Sequence, residues 1–368
     1  MSKCLEVCRL TYNKILETKI ELYKTEQKSL SKYDVDKLMT KQKDIDENLN
    51  LVHSQILQNV SKRVALAYDN FFRRVKQGTE KPGFPRFKAY GRYDSFTFPQ
   101  NNGSFRIIDN QLKLSKIGKV RINLHRPLEG DIRTLTVRKT QTGKWYACFS
   151  SLVENEVLEE NDLSVGIDLG LKTFAMFSDE CQIKNPRFFK DSETRLKRFQ
   201  SRFSKEEKGT PQRKKLGKIL QKVHERVTFR RDDFCHKESR KIVQKYHTIC
   251  IEDLNIKSMM KVDKDNQDKK LHKSIGEVAW KKFTDYLTYK AEEAGRNLVK
   301  VNPRNTSKMC SGCGVLVPKE LKDRIHECPN CGLVMDRDLN ASLNILRLGL
   351  ESLCESAKPT TALEAPLL

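Results

Sequence analysis

The sequence predicts an α/β plus all-β chain of several domains: a helical stretch, a small antiparallel β unit, and a mixed α/β domain interrupted by a four-cysteine zinc ribbon. Three observations carry this. Hydrophobic periodicity changes near residues 80 and 160. Two Cys-x2-Cys pairs, Cys310/Cys313 and Cys328/Cys331, stand 14 residues apart. The positive charge is gathered into one region rather than spread.

Residues 1–80 are expected to be helical. Leu5, Cys8, Tyr12, Ile15, Lys19 and Leu22 recur at three- and four-residue steps, as do Ile56, Val60, Val64, Ala67, Phe71 and Val75. The polar, Lys-rich stretch Ser29–Asp46 reads as a connection, and Gly78 as the end of the second helix. Residues 81–160 alternate with period two. Short runs at Ser95–Phe98, Phe105–Ile108, Gln111–Leu114, Val120–Leu124, Leu135–Arg138 and Trp145–Phe149, punctuated by Gly and Asn, predict a small antiparallel barrel or sandwich. Glu154–Asp162 reads as an acidic linker.

From 161 the pattern is α/β. Val165–Gly170 and Phe174–Phe177 read as a hairpin, Ser192–Lys245 as a long basic helical region, and Thr248–Glu252 as a strand. Lys257–Lys273 looks disordered, Val278–Ala294 helical and Asn297–Val301 a strand. The domain divides into 161–308, a zinc insert at 309–335 and a final helix at 336–350 with Leu339, Leu343, Leu346 and Leu350 on one face. Residues 351–368 read as a mobile polar tail.

The chain carries 70 Lys+Arg against 48 Asp+Glu, a net charge of +22. Between Lys184 and Lys245 the count is 21 basic against 8 acidic, net +13, whereas residues 309–368 hold 6 basic and 8 acidic, net −2. Charge concentrated in this way predicts a polyanionic partner, of which nucleic acid is the commonest. No apolar run of membrane-spanning length and no apolar N-terminal core occurs, so the protein is expected in the cytoplasm. Outside the paired units, Cys4, Cys8, Cys148, Cys181, Cys235, Cys250 and Cys354 read as free, mostly buried thiols.

Each Cys-x2-Cys lets two thiolates grip one ion from a tight turn. Gly314 and Gly332 follow the second cysteine of each pair, where the chain must bend back. Four sulfurs complete a tetrahedral site, which suits structural Zn²⁺ and leaves no open position for catalysis. His326 reads as a surface histidine beside them.

Three acids fit packing poorly. Asp168 sits in Gly166-Ile167-Asp168-Leu169-Gly170, Glu252 ends an apolar strand, and Asp338 opens a helix. Taken singly they read as a turn residue, a solvated strand end and an N-cap. Taken together, acids at strand ends and a helix start are what two Mg²⁺ ions need for phosphodiester hydrolysis.

These motifs resemble a known family. Gly-Ile-Asp-Leu-Gly at 166–170, Ile-Glu-Asp-Leu-Asn at 251–255 and Asp-Arg-Asp-Leu-Asn-Ala at 336–341 are similar to the three RuvC motifs of the TnpB proteins, transposon-encoded relatives of type V CRISPR effectors. Thr306–Gly314 with the second Cys-x2-Cys resembles that family's zinc finger. Cys8–Asn13 and Gly83–Lys88 resemble its N-terminal signatures, and Arg230–Lys237 its basic helix motif. The resemblance implies an RNase H-like (RuvC) nuclease domain preceded by a helical recognition lobe and a wedge-like β-barrel. It implies an RNA-guided DNA endonuclease carrying a guide RNA derived from the transposon end and cutting target DNA. By position it assigns Asp168, Glu252 and Asp338 as catalytic acids, with Asp336 competing for the third place. The family's first barrel strand is expected to be missing, because the Cys8 segment starts seven residues in. Nucleic-acid contacts are expected from Lys81, Arg86, Lys88, Arg230, Arg231, Lys237 and Arg240. Phe87, Phe96 and Phe98 read as barrel core. The competing reading is a nuclease-inactive RNA-guided DNA binder or a truncated derivative.

Overall fold

A computed structural model describes residues 1–78, 81–260, 274–276, 278–320 and 323–356. The chain divides into two units, Met1–Glu154 and Asn155–Leu368.

The first unit opens with helix α1 (Ser2–Glu26), whose Cys4, Cys8, Tyr12 and Ile15 bury one stripe. Helix α4 (Ser54–Lys76) supplies Ile56, Leu57, Val60 and Val64 to the same core, and Gly78 follows its end at φ 66°. The Lys-rich connection is not a loop. It forms helix α2 (Lys32–Gln42), begun by a capping box in which Ser31 N donates to Asp34 Oδ2 (2.9 Å) and Asp34 N to Ser31 Oγ (3.2 Å). Val35 and Met39 anchor it, and the short helix α3 (Glu47–Asn50) follows. High surface charge hid a two-residue apolar face.

Six strands follow in two antiparallel three-stranded sheets. One orders β1 (Ser95–Phe98), β5 (Asp131–Lys139) and β6 (Trp145–Leu152); the other β2 (Phe105–Ile108), β3 (Gln111–Leu114) and β4 (Gly118–Arg121). Phe96 and Phe98 are buried, and Phe98 meets Phe105 of the second sheet at 6.0 Å between ring centroids. Phe87, expected in this core, is exposed because it lies in the irregular loop before β1. Cys148 is also exposed, since Trp145, Ala147 and Phe149 take the inward positions of β6.

The second unit is built on a five-stranded mixed sheet ordered β11-β10-β7-β8-β9. Strands β7 (Ser164–Leu169) and β8 (Thr173–Phe177) form the expected hairpin, and β9 (Gln182–Lys184) extends it. Strand β10 (Thr248–Glu252) runs parallel to β7 and to β11 (Asn297–Val301). The basic region is two helices, α5 (Phe188–Lys205) and α6 (Pro211–Lys245), separated by Gly209 at φ 97° and restarted by a Thr210 cap with Pro211 at the first turn. Helix α7 (Ile256–Met259) covers the start of the stretch expected to be disordered; 261–273 lie outside the described residues. Helix α8 (Trp280–Glu293) precedes β11. Residues 155–162 are irregular, but Leu158 N donates to Ala294 O (3.1 Å) and Arg296 Nη1 to Glu159 O (2.8 Å), so this segment is tied to the second unit.

The two faces of the sheet differ. Val165, Ile167, Leu169, Ile249 and Ile251 point into a core filled by Cys235, Ile242 and Val243 of α6 and Phe283 and Leu287 of α8. The opposite face is covered by the last helix, α9 (Arg337–Ser356). A Cβ on Gly166 would lie 2.0 Å from the Ser342 carbonyl oxygen, and one on Gly349 would lie 2.2 Å from Cys250 Sγ. Glycine is required at both places for helix and sheet to approach. This close approach corrects the expected leucine face. Ala341, Ile345 and Gly349 are buried, whereas Leu350 is 37% exposed. The helix also runs through 351–356, which removes these residues from the expected mobile tail; 357–368 lie outside the described residues.

Candidate active site and metal centre

Alternation along β7 places Gly166 and Asp168 on the face under α9, because Val165, Ile167 and Leu169 take the other. On β10, Cys250 and Glu252 share that face. Ile167 pairs with Ile251, so Asp168 and Glu252 stand one step further on, at the carboxyl ends of adjacent parallel strands. Asp253 is exposed, and its N–H donates to Val301 O (2.8 Å).

Asp338 reaches the same place from the first turn of α9, one turn before the Ser342 carbonyl that rests against Gly166. Its neighbour Asp336 has a different task. Asp336 Oδ1 accepts from the backbone N–H of Asp338 (2.8 Å) and Leu339 (3.2 Å), which makes Asp336 the helix cap. Asp338 Oδ1 accepts from Arg337 Nη2 at 2.9 Å, and Arg324 Nη1 stands 4.0 Å from Oδ2.

Asp168 feels both of the other acids. Burial first, and then the negative charges of Glu252 and Asp338, push the Asp168 carboxyl well above the ordinary carboxylate range, against the opposing pull of Arg337. Glu252 is 8% exposed and is raised by burial, with a hydrogen bond from Thr306 working the other way. Thr306 Oγ1 donates to Glu252 Oε1 at 2.6 Å. Buried carboxylates that repel one another are unfavourable without a counter-charge, and hard divalent cations take this kind of donor set. Among the described residues, the group whose donor atoms already stand close enough together to hold an ion is the set of four thiols described next.

The Sγ atoms of Cys310, Cys313, Cys328 and Cys331 all lie within 4.8 Å of one another, with Cys310–Cys331 at 3.6 Å and Cys313–Cys328 at 3.5 Å. A tetrahedral zinc ion with bonds of about 2.3 Å holds its sulfurs about 3.8 Å apart, so the group fits zinc. Two matching turns build it. Gly314 N donates to Cys310 O and Gly332 N to Cys328 O, both at 2.9 Å, with the glycines at φ 77° and 73°. The side chain of Asn330, followed by the Val315 backbone, holds the Cys313 thiol down at about 6, while Cys331, against the pull of the Leu333 backbone, is pushed up to about 12 by the neighbouring sulfurs. Strands β12 (Ile325–Glu327) and β13 (Val334–Asp336) close the module. His326 is fully buried rather than on the surface, because β12 turns it inward, where its Nδ1 meets Lys319 Nζ.

The basic residues are dispersed. Lys81 and Arg86 are exposed in the loop before β1. Lys88 is half-buried, its backbone held by Asn13 (N to Oδ1, 2.7 Å) and its Nζ 5.4 Å from the Tyr12 ring centre. Arg230 lies over Phe188 and 3.7 Å from Asp191, Lys237 bonds Asp233 (2.8 Å), and Arg240 is exposed. Arg231 is half-buried and lines a small cavity with Phe188 and Phe234. Sequence reasoning passed over Thr306, Asn340 and Asn344 as individual residues. Two asparagines four apart on a leucine-rich helix were the available signal.

The chain is similar to known proteins over most of its length. A sequence profile described as "Probable transposase" matches residues 133–263, and one described as "Cas12f1-like, TNB domain" matches 280–345. A protein of Streptomyces pristinaespiralis named "Putative RNA-guided DNA endonuclease" is 32% identical over 95% of this chain and 85% of its own length. The similarly named InsQ of Escherichia coli K12 is 28% identical over 95% of this chain and 88% of its own. The structure of a mini-RNA-guided endonuclease, CRISPR-Cas_phi3, aligns over 95% of this chain and 90% of that one with a TM-score of 0.52 at 10% identity, a likeness of fold. From these matches, the chain belongs to the TnpB (OrfB) family.

Proposed function

We propose that the protein is an RNA-guided DNA endonuclease that hydrolyses phosphodiester bonds at a RuvC-type site formed by Asp168, Glu252 and Asp338. The observation that carries this is the placement of Asp168 and Glu252 at the carboxyl ends of adjacent parallel strands, with the helix that begins at Asp338 packed close against the same face. The mixed sheet, with two parallel strands added to an antiparallel three, supports an RNase H-like reading of the second unit. The helices and antiparallel sheets of the first unit support a recognition lobe and a wedge-like barrel.

The three acids are the residues that would hold Mg²⁺. Divalent ions bound there supply activation of a water and stabilisation of the leaving oxygen. The chain does the positioning. Strands β7 and β10 fix Asp168 and Glu252 side by side, and the Asp336 cap means that the Asp338 carboxylate, held by Arg337, is not spent on capping the helix. Arg337 balances part of their charge. The cysteines serve a structural Zn²⁺ site, since four thiolates fill the tetrahedron. The cations of α5 and α6, Arg230, Lys237 and Arg240 among them, supply a surface for the guide–target duplex, which such nucleases grip through its backbone. Guide RNA and target DNA are the partners this reading requires, and the proteins it resembles carry RNA guidance in their names.

RNA copurifying with the expressed protein tests it. The account expects one discrete RNA species, and Mg²⁺-dependent cutting of DNA matching its variable end. Purification without RNA, or cutting indifferent to DNA sequence, contradicts it.

A further inference from the structure

The loop between β11 and the ribbon makes more contacts to the acid site than a connector needs. Thr306 is 1% exposed. Its hydroxyl donates to Glu252 Oε1 at 2.6 Å, and its carbonyl accepts from Asn344 Nδ2 of α9 at 2.9 Å. Asn344 Nδ2 also donates to Met309 O at 2.7 Å. One turn earlier, Asn340 holds the same loop in both senses, with Nδ2 donating to Met309 O (2.8 Å) and Oδ1 accepting from Ser311 N (2.9 Å). Both asparagines are fully buried.

Buried amides cost free energy unless they are hydrogen-bonded, and an apolar side chain would pack against this sheet at less risk. What the amides add is direction. They fix one register between the helix and the loop, which Ala341, Ile345 and Gly349 alone would not specify. Asp338 lies on the same helix six residues before Asn344, about 9 Å along the axis. One unbroken path therefore runs from Glu252 through Thr306 and Asn344 to the helix that carries Asp338.

We infer that Thr306, held by Asn344 and Asn340, is a positioning residue that sets the spacing between Glu252 and Asp338. This rests on the reading of the acids as cation ligands given above. The Thr306 hydroxyl orients one oxygen of Glu252 and leaves the other for a cation. The same loop leads within four residues to Cys310, so the ribbon and the acid site share this anchor. Groups that orient metal ligands from behind typically matter by 10- to 100-fold in metal affinity or activity.

The test uses the full chain, with Mn²⁺ as the probe, followed by loss of the free-ion electron paramagnetic resonance signal. Thr306→Val keeps the shape and removes the hydroxyl; Thr306→Ser restores it. The expected result is Mn²⁺ binding weakened by roughly 10- to 100-fold in Thr306→Val and recovered in Thr306→Ser. In the guide-loaded protein, the Mg²⁺ concentration for half-maximal cutting should shift in parallel while target-DNA binding is unchanged. Equal Mn²⁺ affinity in a folded Thr306→Val protein overturns the inference. Should that variant fail to fold, Asn344→Asp, which removes both donated bonds with little change of shape, gives the same readout. Asp168→Asn separates the levels. If it leaves Mn²⁺ binding intact, the reading of the acids has failed; if it abolishes binding while Thr306→Val does not, only the positioning role has failed.

Discussion

Within Asn155–Leu368, two sets of metal-type donors are assembled in opposite ways. The four thiols come from two matching turns, each with the same backbone hydrogen bond and the same left-handed glycine. The three carboxylates come from elements far apart. Glu252 follows Asp168 by 84 residues and precedes Asp338 by 86, and they meet because β7 and β10 keep their register and α9 lies close against both. A local motif thus makes the four-thiol cluster, whereas the fold of a whole unit sets the positions of the acids. Substitutions at the acids should therefore change chemistry and spare the fold. Those at the thiols should change both, and those at the helix–sheet contact should act on stability first.

The largest expected effect sharpens the distinction between the two aspartates at the start of α9. Asp338→Asn should slow guided cleavage by about 1,000-fold, equivalent to about 4 kcal/mol. Asp336→Asn should cost no more than a helix cap, about 1 kcal/mol of stability, with cutting retained. Single-turnover rates for the two variants check this, and the reverse ranking would move the third role to Asp336. Next is Cys331→Ser. Asp338 follows Cys331 by seven residues. Zinc content by mass spectrometry should fall from one equivalent, and cutting should drop by roughly 10-fold or more as the ribbon loosens its hold on the helix start. Wild-type cutting by a zinc-free variant would separate the two regions.

Gly349→Ala probes the close approach. Its new Cβ would fall 2.2 Å from Cys250 Sγ. Overpacking of this kind costs about 1–3 kcal/mol, and each kcal/mol lowers the melting temperature of a unit this size by about 2–4 °C. Adding Cys250→Ala should recover part of the loss, which a double-mutant cycle measures. The smallest effect runs in the stabilising direction. The Asp168 carboxyl is raised by burial and by its acidic neighbours. In chelator, the folded chain binds a proton there more readily than the unfolded chain. This group's contribution to stability therefore falls as pH rises from the ordinary carboxylate value, about 4, through the raised one. Asp168→Asn should raise the melting temperature at pH 7 in chelator and lose that advantage at pH 4. An unchanged or lower melting temperature at pH 7 would mean that the acids do not strain the fold.

Much of this was legible in the sequence because its causes are local. Cys-x2-Cys with a following glycine announces a tight turn, and two of them do bring four thiols together; the period-two runs mark β1 through β6 to within a few residues. Acids at the ends of apolar runs singled out Asp168 and Glu252, which the structure sets on adjacent parallel strands. The parts that were not legible depend on partners elsewhere in the chain. Helix α2 was hidden because only Val35 and Met39 face inward. The buried face of α9 was misplaced because leucine spacing suggested a broad apolar stripe, whereas the sheet accepts Ala341 and Gly349 at close range. Phe87 and Cys148 resemble core residues by type alone, and their neighbours decide otherwise. The capping role of Asp336 and the links from Thr306 to Glu252 and Asn344 appear only once sheet, loop and helix are in register.

Cleavage of matched DNA by the guide-loaded protein, compared with its Asp168→Ala variant at equal target binding, tests the central claim most directly. The account predicts Mg²⁺-dependent cutting by the unaltered chain and none above background by the variant. Cutting at full rate by Asp168→Ala would contradict it.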